Sequence, residues 1–189
     1  SVLSIVKPEF SQSRTINSLG LPEREIRRVK SPGEYRIIAL GDSYTDGVGT
    51  SYESTWVKML EKALTQRFGE AKITTMNAGV SGSDVYFEYM LMREKLLSYT
   101  PDLVIVAVNE TDIQDIIARG GMERFGSDGR LKTRKGPRWE WIYGISYLFR
   151  HVIHDISGYD WMFLAPGQVA VEEQVAADKM KLALEQFLK

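Results

Sequence analysis

Apolar residues along this chain fall into two alternating patterns, short unbroken runs and longer segments with helical spacing. "EYRIIALG" (34–41) is rich in β-branched and aliphatic residues and stops at a glycine. That is how a strand buried on both faces reads. "ESTWVKMLEKALTQRFG" (53–69) then spaces Trp56, Val57, Leu60, Ala63, Leu64 and Phe68 along one side of a helix. Ser54 or Thr55 is its expected N-cap, and Gly69 is placed to end it. "AKITTMNAG" (71–79) reads as a second strand, and "SDVYFEYMLMREKLLSY" (83–99) as a second helix closed by Pro101. "DLVIVAV" (102–108) is apolar throughout and predicts a third strand, in the centre of the sheet.

Strand, helix, strand, helix, strand with short joints predicts right-handed crossovers and a parallel sheet covered on both faces. Beyond this the pattern changes. Residues 119–138, "RGGMERFGSDGRLKTRKGPR", are glycine-rich and basic and predict a surface excursion. "WEWIYGISYLFRHVIHDIS" (139–157) predicts one amphipathic helix with Trp141, Ile145, Leu148, Val152 and Ile156 on its apolar stripe. "VEEQVAADKMKLALEQFL" (171–188) predicts a last helix. Ahead of the first strand, residues 1–34 carry Pro8, Pro22 and Pro32 and no sustained period. They read as an N-terminal arm or linker, leaving 35–189 as the folded domain. Three strands make a thin α/β sheet, so the domain is expected to be incomplete at its C-terminal end.

Composition narrows the function classes. Hydrophobic residues at 43% and charged residues at 26% are the proportions of an ordinary globular domain. A net charge of -1 gives no field to recruit nucleic acid or an anionic membrane. With no cysteine, disulfides and thiolate metal sites are excluded. No grouping of His, Asp and Glu has metal-ligand spacing, and no cofactor is implied. The chain begins at Ser1 without a methionine, which leaves an upstream leader or anchor open.

The candidate chemistry lies in "ALGDSYTDGVGT" (39–50), where Ser43 stands just past the first strand between glycines and aspartates. In an open parallel sheet, ligands bind at the carboxyl ends of the strands. Ser43 would present its hydroxyl there, with Gly47 and Gly49 keeping the following turn narrow. The plainer reading is a strand-to-helix turn in which Asp42 and Ser43 only cap the backbone. A phosphate loop is disfavoured, since the chain holds no Gly-Lys-Ser/Thr, and "GVG" (47–49) lacks the third glycine of a dinucleotide fingerprint.

"GDSYTDG" resembles the first block of the GDSL, or SGNH, hydrolase family of esterases and lipases. "NAGVSG" (77–82) is similar to its second block, and "PDLVIVAVNETD" (101–112) to its third, which ends in Gly-x-Asn-Asp. The resemblance implies a flavodoxin-like three-layer α/β/α fold with a parallel sheet. It also implies Ser43 as nucleophile and the Gly79 N–H as an oxyanion donor. In the third block Asn109 stands where the family has glycine, Thr111 where it has the oxyanion asparagine, and Asp112 at the following aspartate. The Thr111 hydroxyl is then the expected third donor, with the Asn109 side chain as the alternative.

The family takes its base from Asp-x-x-His near the C-terminus, and this sequence has no such motif. Only His151 and His154 are present. His151 and Asp155, four apart on one helix, imitate a dyad, although a surface role fits them better. His154 is retained as the candidate base within the chain, and the expectation is that the true base lies beyond Lys189. The lead-in "NSLGLPEREIRRVKSPGEYRIIALGDS" is also similar to family members with an N-terminal membrane anchor, which implies an extracytoplasmic bacterial location.

The expected function is ester hydrolysis through an acyl-serine intermediate, on small acyl esters or acetylated carbohydrates. The rival is a non-catalytic module of the same family that holds an acylated glycan or a protein partner. The absent Asp-x-x-His and the altered third block favour the rival, and the intact first block favours the enzyme. The aromatic residues Trp139, Trp141, Tyr143, Tyr147, Phe149, Tyr159, Trp161 and Phe163 read first as packing and second as a lid or acyl pocket. Arg130, Lys132, Arg134, Lys135 and Arg138 read as a solvated basic loop.

Overall fold

Backbone amides in the apolar runs satisfy one another laterally, and the strands they form determine where the candidate serine sits. The computed structural model describes residues 2–6, 11–69, 72–132, 139–156 and 173–188. Strands β1 (Val2–Val6) and β2 (Ser11–Thr15) form an antiparallel pair. Strands β3 (Glu34–Gly41), β4 (Lys72–Gly79) and β5 (Leu103–Val106) form a parallel sheet in the order β4–β3–β5. Its register sets Gly41 opposite Gly79 and Leu40 opposite Val106. The α/β class expected from the sequence is thus observed.

The strand order corrects one expectation. Among the described residues β3 is central and β5 lies at the edge, with Leu103 43% exposed. An unbroken apolar run reports that both faces of a strand are covered; it carries no information about whether both edges are paired.

The chain divides into two compact units, Ser1–Asp112 with Met180–Lys189, and Ile113–Lys179. In the first, Ile38, Leu40, Met76, Ala78, Met92, Leu96, Tyr99 and Leu21 form a buried cluster. Each large aliphatic side chain so buried contributes about 1.5–3 kcal/mol. A four-residue helix α1 (Ser43–Asp46) follows β3, and α2 (Trp56–Phe68) follows it. Thr55 caps α2 by accepting from the Lys58 N–H, and Gly69 ends it at φ 61°, as the sequence suggested. After β4 comes α3 (Val85–Leu91), which widens into a π-turn over Met92–Leu96 and tightens over Leu97–Tyr99. Asp84 caps α3 by accepting from the Tyr86 and Phe87 N–H groups.

Two groups of buried charges tie these elements together. The Arg36 guanidinium, 1% exposed, donates to Glu34, to the Arg28 carbonyl at 2.9 Å and to the Tyr99 carbonyl at 2.7 Å. On the outer edge of β4, Glu61 accepts from the Thr75 N–H at 2.7 Å and Glu23 from the Asn77 N–H at 2.8 Å. Lys58 sits between these carboxylates, 2.7 Å from Glu23. Burial would raise the Glu61 carboxyl, but the Thr75 N–H and Lys58 outweigh it and hold Glu61 below its ordinary range. Side chains thereby satisfy an edge that another strand could otherwise extend.

The stretch read as an extended arm contains β1 and β2, and Gln12, Arg14, Leu21 and Glu23 are buried.

In the second unit, the helix expected over 139–157 is two short helices, α5 (Glu140–Ile145) and α6 (Tyr147–Arg150), followed by a π-turn over His151–Ile156. (A helix α4, Thr111–Arg119, precedes them, and α7, Glu173–Gln186, follows.) The break falls at Ser146, which is extended and accepts from the Phe149 N–H at 3.2 Å. A serine that caps a new helix competes with continuation of the old one. The expected apolar stripe is exposed at Trp141, Ile145, Leu148, Val152 and Ile156. Trp139 and Phe149 meet edge to face at 5.7 Å, which is packing. The excursion after α4 carries one bridge, Phe125 to Leu131. Arg134, Lys135, Arg138, Tyr159, Trp161 and Phe163 lie outside the described residues.

Candidate active site

Two glycines clear the ground at the carboxyl ends of β3 and β4. A Cβ on Gly41 would lie 2.1 Å from Thr45 Oγ1, and one on Gly79 would lie 2.1 Å from the Asp46 backbone nitrogen. Without them α1 could not lie across the strand ends. Asp42 starts that helix, accepting from the Tyr44 N–H at 3.0 Å. Ser43, its first residue, is partly buried at the rim where open parallel sheets bind ligands. Gly47 ends the helix at φ 79°, its N–H donating to the Ser43 carbonyl at 3.0 Å.

The narrow turn that follows is held from a distance. The Gln12 carboxamide, on β2, donates to the Gly47 and Thr50 carbonyls and accepts from the Gly49 N–H at 3.0 Å. Arg14, two residues along the same strand, pairs with Asp46, which also accepts from the Ser81 hydroxyl. No local signal marks Gln12 or Arg14 in the sequence, because their partners are more than thirty residues away. Between β2 and α1 lies a cavity of about 240 Å³, lined by Gln12, Arg14, Glu23, Asp46, Thr50 and Tyr52 among others.

The second block places Gly79 beside α1, and its N–H is engaged. It donates to Asn77 Oδ1 at 3.0 Å, while Asn77 Nδ2 donates to the Thr45 carbonyl at 2.8 Å. Asn77 straps β4 to α1, a role that sequence reading missed. In the third block Asn109 Nδ2 donates to Asp42 Oδ2 at 2.8 Å. Asn109 Oδ1 accepts from both the Thr111 N–H and, at 2.6 Å, the Thr111 hydroxyl. Asp112 accepts from the Asn109 N–H at 2.7 Å. Asn109 therefore reaches the Ser43 turn, and the exposed Thr111 supports Asn109.

The first unit, which carries Ser43, contains no histidine. In the second unit His151 Nδ1 lies 2.7 Å from Asp155 Oδ2, with both side chains about half exposed. The His154 side chain lies outside the described residues. Among the described residues no cluster of three or more His, Cys, Asp or Glu could hold a metal ion, and no helix is long and apolar enough to cross a membrane.

Beneath the strand ends, Glu88 of α3 is 1% exposed. The Ser83 hydroxyl lies 3.0 Å from Glu88 Oε1 and 3.1 Å from the Gly41 carbonyl oxygen. Burial, followed by the neighbouring Asp112, Asp84 and Asp42 carboxylates, pushes the Glu88 carboxyl up to about 8 against the pull of the Ser83 contact.

Several known proteins align with parts of the chain. A stretch covering 41% of it is 28% identical over 78 residues to an uncharacterized protein of Mycoplasma pneumoniae, and spans 9% of that relative's length. AlinE4, a SGNH-hydrolase family esterase of solved structure, is 20% identical, with a TM-score of 0.38 over 80% of this chain and 96% of its own. The acetyl xylan esterase AlAXEase is 17% identical, with a TM-score of 0.39 over 79% of this chain and 72% of its own. A family model matches residues 39–133, half of the chain and all three strand ends that bear Ser43, Gly79 and Asn109; the chain belongs to the GDSL-like lipase/acylhydrolase family.

Proposed function

We propose that this protein is a serine ester hydrolase in which Ser43 attacks an acyl carbonyl and forms an acyl-serine that water then releases. The observation that carries this reading is the seat of Ser43, on the first turn beyond a central parallel strand, over strand ends kept bare by Gly41 and Gly79. The oxyanion is received by the Ser43 N–H and the Asn109 carboxamide. Gly79 and Thr111 serve by position, one admitting α1 and the other holding Asn109. The proton of Ser43 passes to a histidine, the usual base for this chemistry.

The substrate class we propose is a small acyl ester or an acetylated carbohydrate. Turnover of p-nitrophenyl acetate by the wild-type chain and by Ser43→Ala tests the reading, and equal rates would overturn it. Asn109→Ala is expected to lower kcat about 100- to 1000-fold, the usual loss for one oxyanion donor, with KM little changed. Thr111→Val is expected to cost less, because its hydroxyl acts through Asn109.

A second reading is favoured by one observation, the absence of histidine from the unit that holds Ser43. The protein would then bind an acylated glycan without cleaving it. Calorimetric binding of an acetylated oligosaccharide with no release of acetate identifies that outcome.

A further inference from the structure

The Ser83 hydroxyl owns one proton and faces two oxygens, the Gly41 carbonyl at 3.1 Å and Glu88 Oε1 at 3.0 Å. A carbonyl oxygen only accepts. If Ser83 donates to Gly41, the Ser83–Glu88 contact is a hydrogen bond only when the carboxyl of Glu88 supplies a proton. The surroundings favour that state. Glu88 Oε2 is buried with no hydrogen-bond partner, which is costly for a carboxylate and tolerable for an acid. The ionisable groups facing Glu88 from neighbouring elements are carboxylates: Asp84 at the cap of α3, Asp112 at the start of α4 and Asp42 between β3 and α1. Asp84 accepts from the Tyr86 and Phe87 N–H groups, Asp112 from that of Asn109, and Asp42 from the Tyr44 N–H and the Asn109 carboxamide. Glu88 has the Ser83 hydroxyl instead, and it is the carboxyl that burial and these neighbours push up.

We propose that Glu88 is a positioning residue that is protonated at neutral pH: its O–H donates to Ser83, Ser83 donates to the Gly41 carbonyl, and this relay fixes the strand end that projects Ser43. The Gly41 carbonyl also accepts from the Val80 N–H at 2.9 Å, so with Glu88 protonated both of its lone pairs are used. Loss of the proton turns the Ser83 hydroxyl toward the carboxylate and leaves Gly41 with the Val80 bond alone. The upward shift of the carboxyl to about 8 places that change just above neutrality. The catalytic consequence rests on Ser43 being the nucleophile; the proton on Glu88 does not.

The effect on stability has a definite sign. Glu88 has a higher pKa folded than unfolded, so its favourable contribution is complete below the unfolded value near 4.5 and is lost as pH rises to about 8. Across that window the folded-to-unfolded ratio falls up to tenfold per pH unit on account of this group. Glu88→Gln, a neutral side chain that can still donate to Ser83, is expected to remove this slope and to unfold at a higher temperature than wild type at pH 8.

Carboxyl-carbon NMR of protein labelled with ¹³C-glutamate tests the proton directly. One glutamate signal should remain protonated at pH 6.5 and titrate near 8, and the amide signals of Gly41 to Ser43 should move with the same midpoint. Glu88→Gln should abolish both titrations, and Ser83→Ala should abolish the amide step alone. If every glutamate is ionised at pH 6.5, or the amide step survives in Glu88→Gln, the proposal is overturned. The wild-type carboxyl titration decides the matter even if neither variant folds.

The pH dependence of fluorophosphonate labelling then separates this proposal from the hydrolase reading. Labelling that weakens above pH 8 in wild type but not in Glu88→Gln supports the relay. Identical profiles overturn it and leave the hydrolase reading standing. No labelling at any pH defeats the hydrolase reading, and the NMR result still judges Glu88.

Discussion

Ser43→Ala is expected to lower kcat for ester hydrolysis by about 10⁴- to 10⁶-fold, the range seen when the nucleophile of a serine hydrolase is removed. In the proposed reaction the hydroxyl is the bond-forming group, so its loss removes the acyl-enzyme path and leaves only binding and the oxyanion donors. The backbone around it has other anchors. Asp42 accepts from the Tyr44 N–H, and the Ser43 carbonyl accepts from Gly47 and Val48, none of which uses the Ser43 side chain. Stability should therefore stay within about 0.5 kcal/mol of wild type, as for an ordinary peripheral substitution. Steady-state kinetics together with a thermal melt separate loss of chemistry from loss of fold. A variant that melts early would forfeit the comparison, and the anchors above make that outcome unexpected.

The second large effect is structural. Glu23→Ala is expected to destabilise the chain by about 3–5 kcal/mol, the usual consequence of removing one partner from a buried ion pair. Glu23 is fully buried and Lys58 nearly so, with 2.7 Å between them. Glu23 also accepts from the Tyr52 hydroxyl, the Arg24 N–H at 2.8 Å and the Asn77 N–H at 2.8 Å. Deleting it strands a buried ammonium whose other partners are the Thr75 carbonyl at 2.7 Å, the Thr75 hydroxyl at 3.2 Å and Glu61 at 3.5 Å. It also leaves the Asn77 amide unpaired on the β4 edge. For a chain of this size the melting temperature should fall by roughly 6–20 °C. Glu23→Leu combined with Lys58→Met should recover much of the loss, since an apolar pair leaves no stranded charge. Thermal unfolding of the single and double variants provides the check.

These two effects fall on residues of different legibility. Ser43 stands out as a candidate because a serine among glycines just past an apolar run is a local pattern, and strand and helix bounds around it were legible for the same reason. Thr55 and Gly69 announced both ends of α2. Glu23 and Lys58 gave no such sign, because the pair joins residues thirty-five apart and each looks like an ordinary surface charge. Gln12 is similar, a polar residue without periodicity whose partners are the Gly47–Thr50 backbone. The position of β5 was misjudged because apolar density reports faces and is silent on edges. The helix over 139–157 was misjudged because its 3.6-residue stripe continues through Ser146, where a cap interrupts the backbone. Asn77 and Gly79 were legible as the end of a strand and as the second family block, but not the strap that Asn77 makes to the Thr45 carbonyl or the gap that Gly79 leaves for α1.

The central claim is that the hydroxyl of Ser43 is the reactive one in this chain. Incubation with a fluorophosphonate, followed by proteolysis and mass spectrometry, locates the adduct to a residue. The expected result is one phosphonyl group on the peptide that contains Gly41-Asp42-Ser43, absent from Ser43→Ala. An adduct on Ser81 or Ser83 instead, or none on folded wild-type protein, would contradict the account.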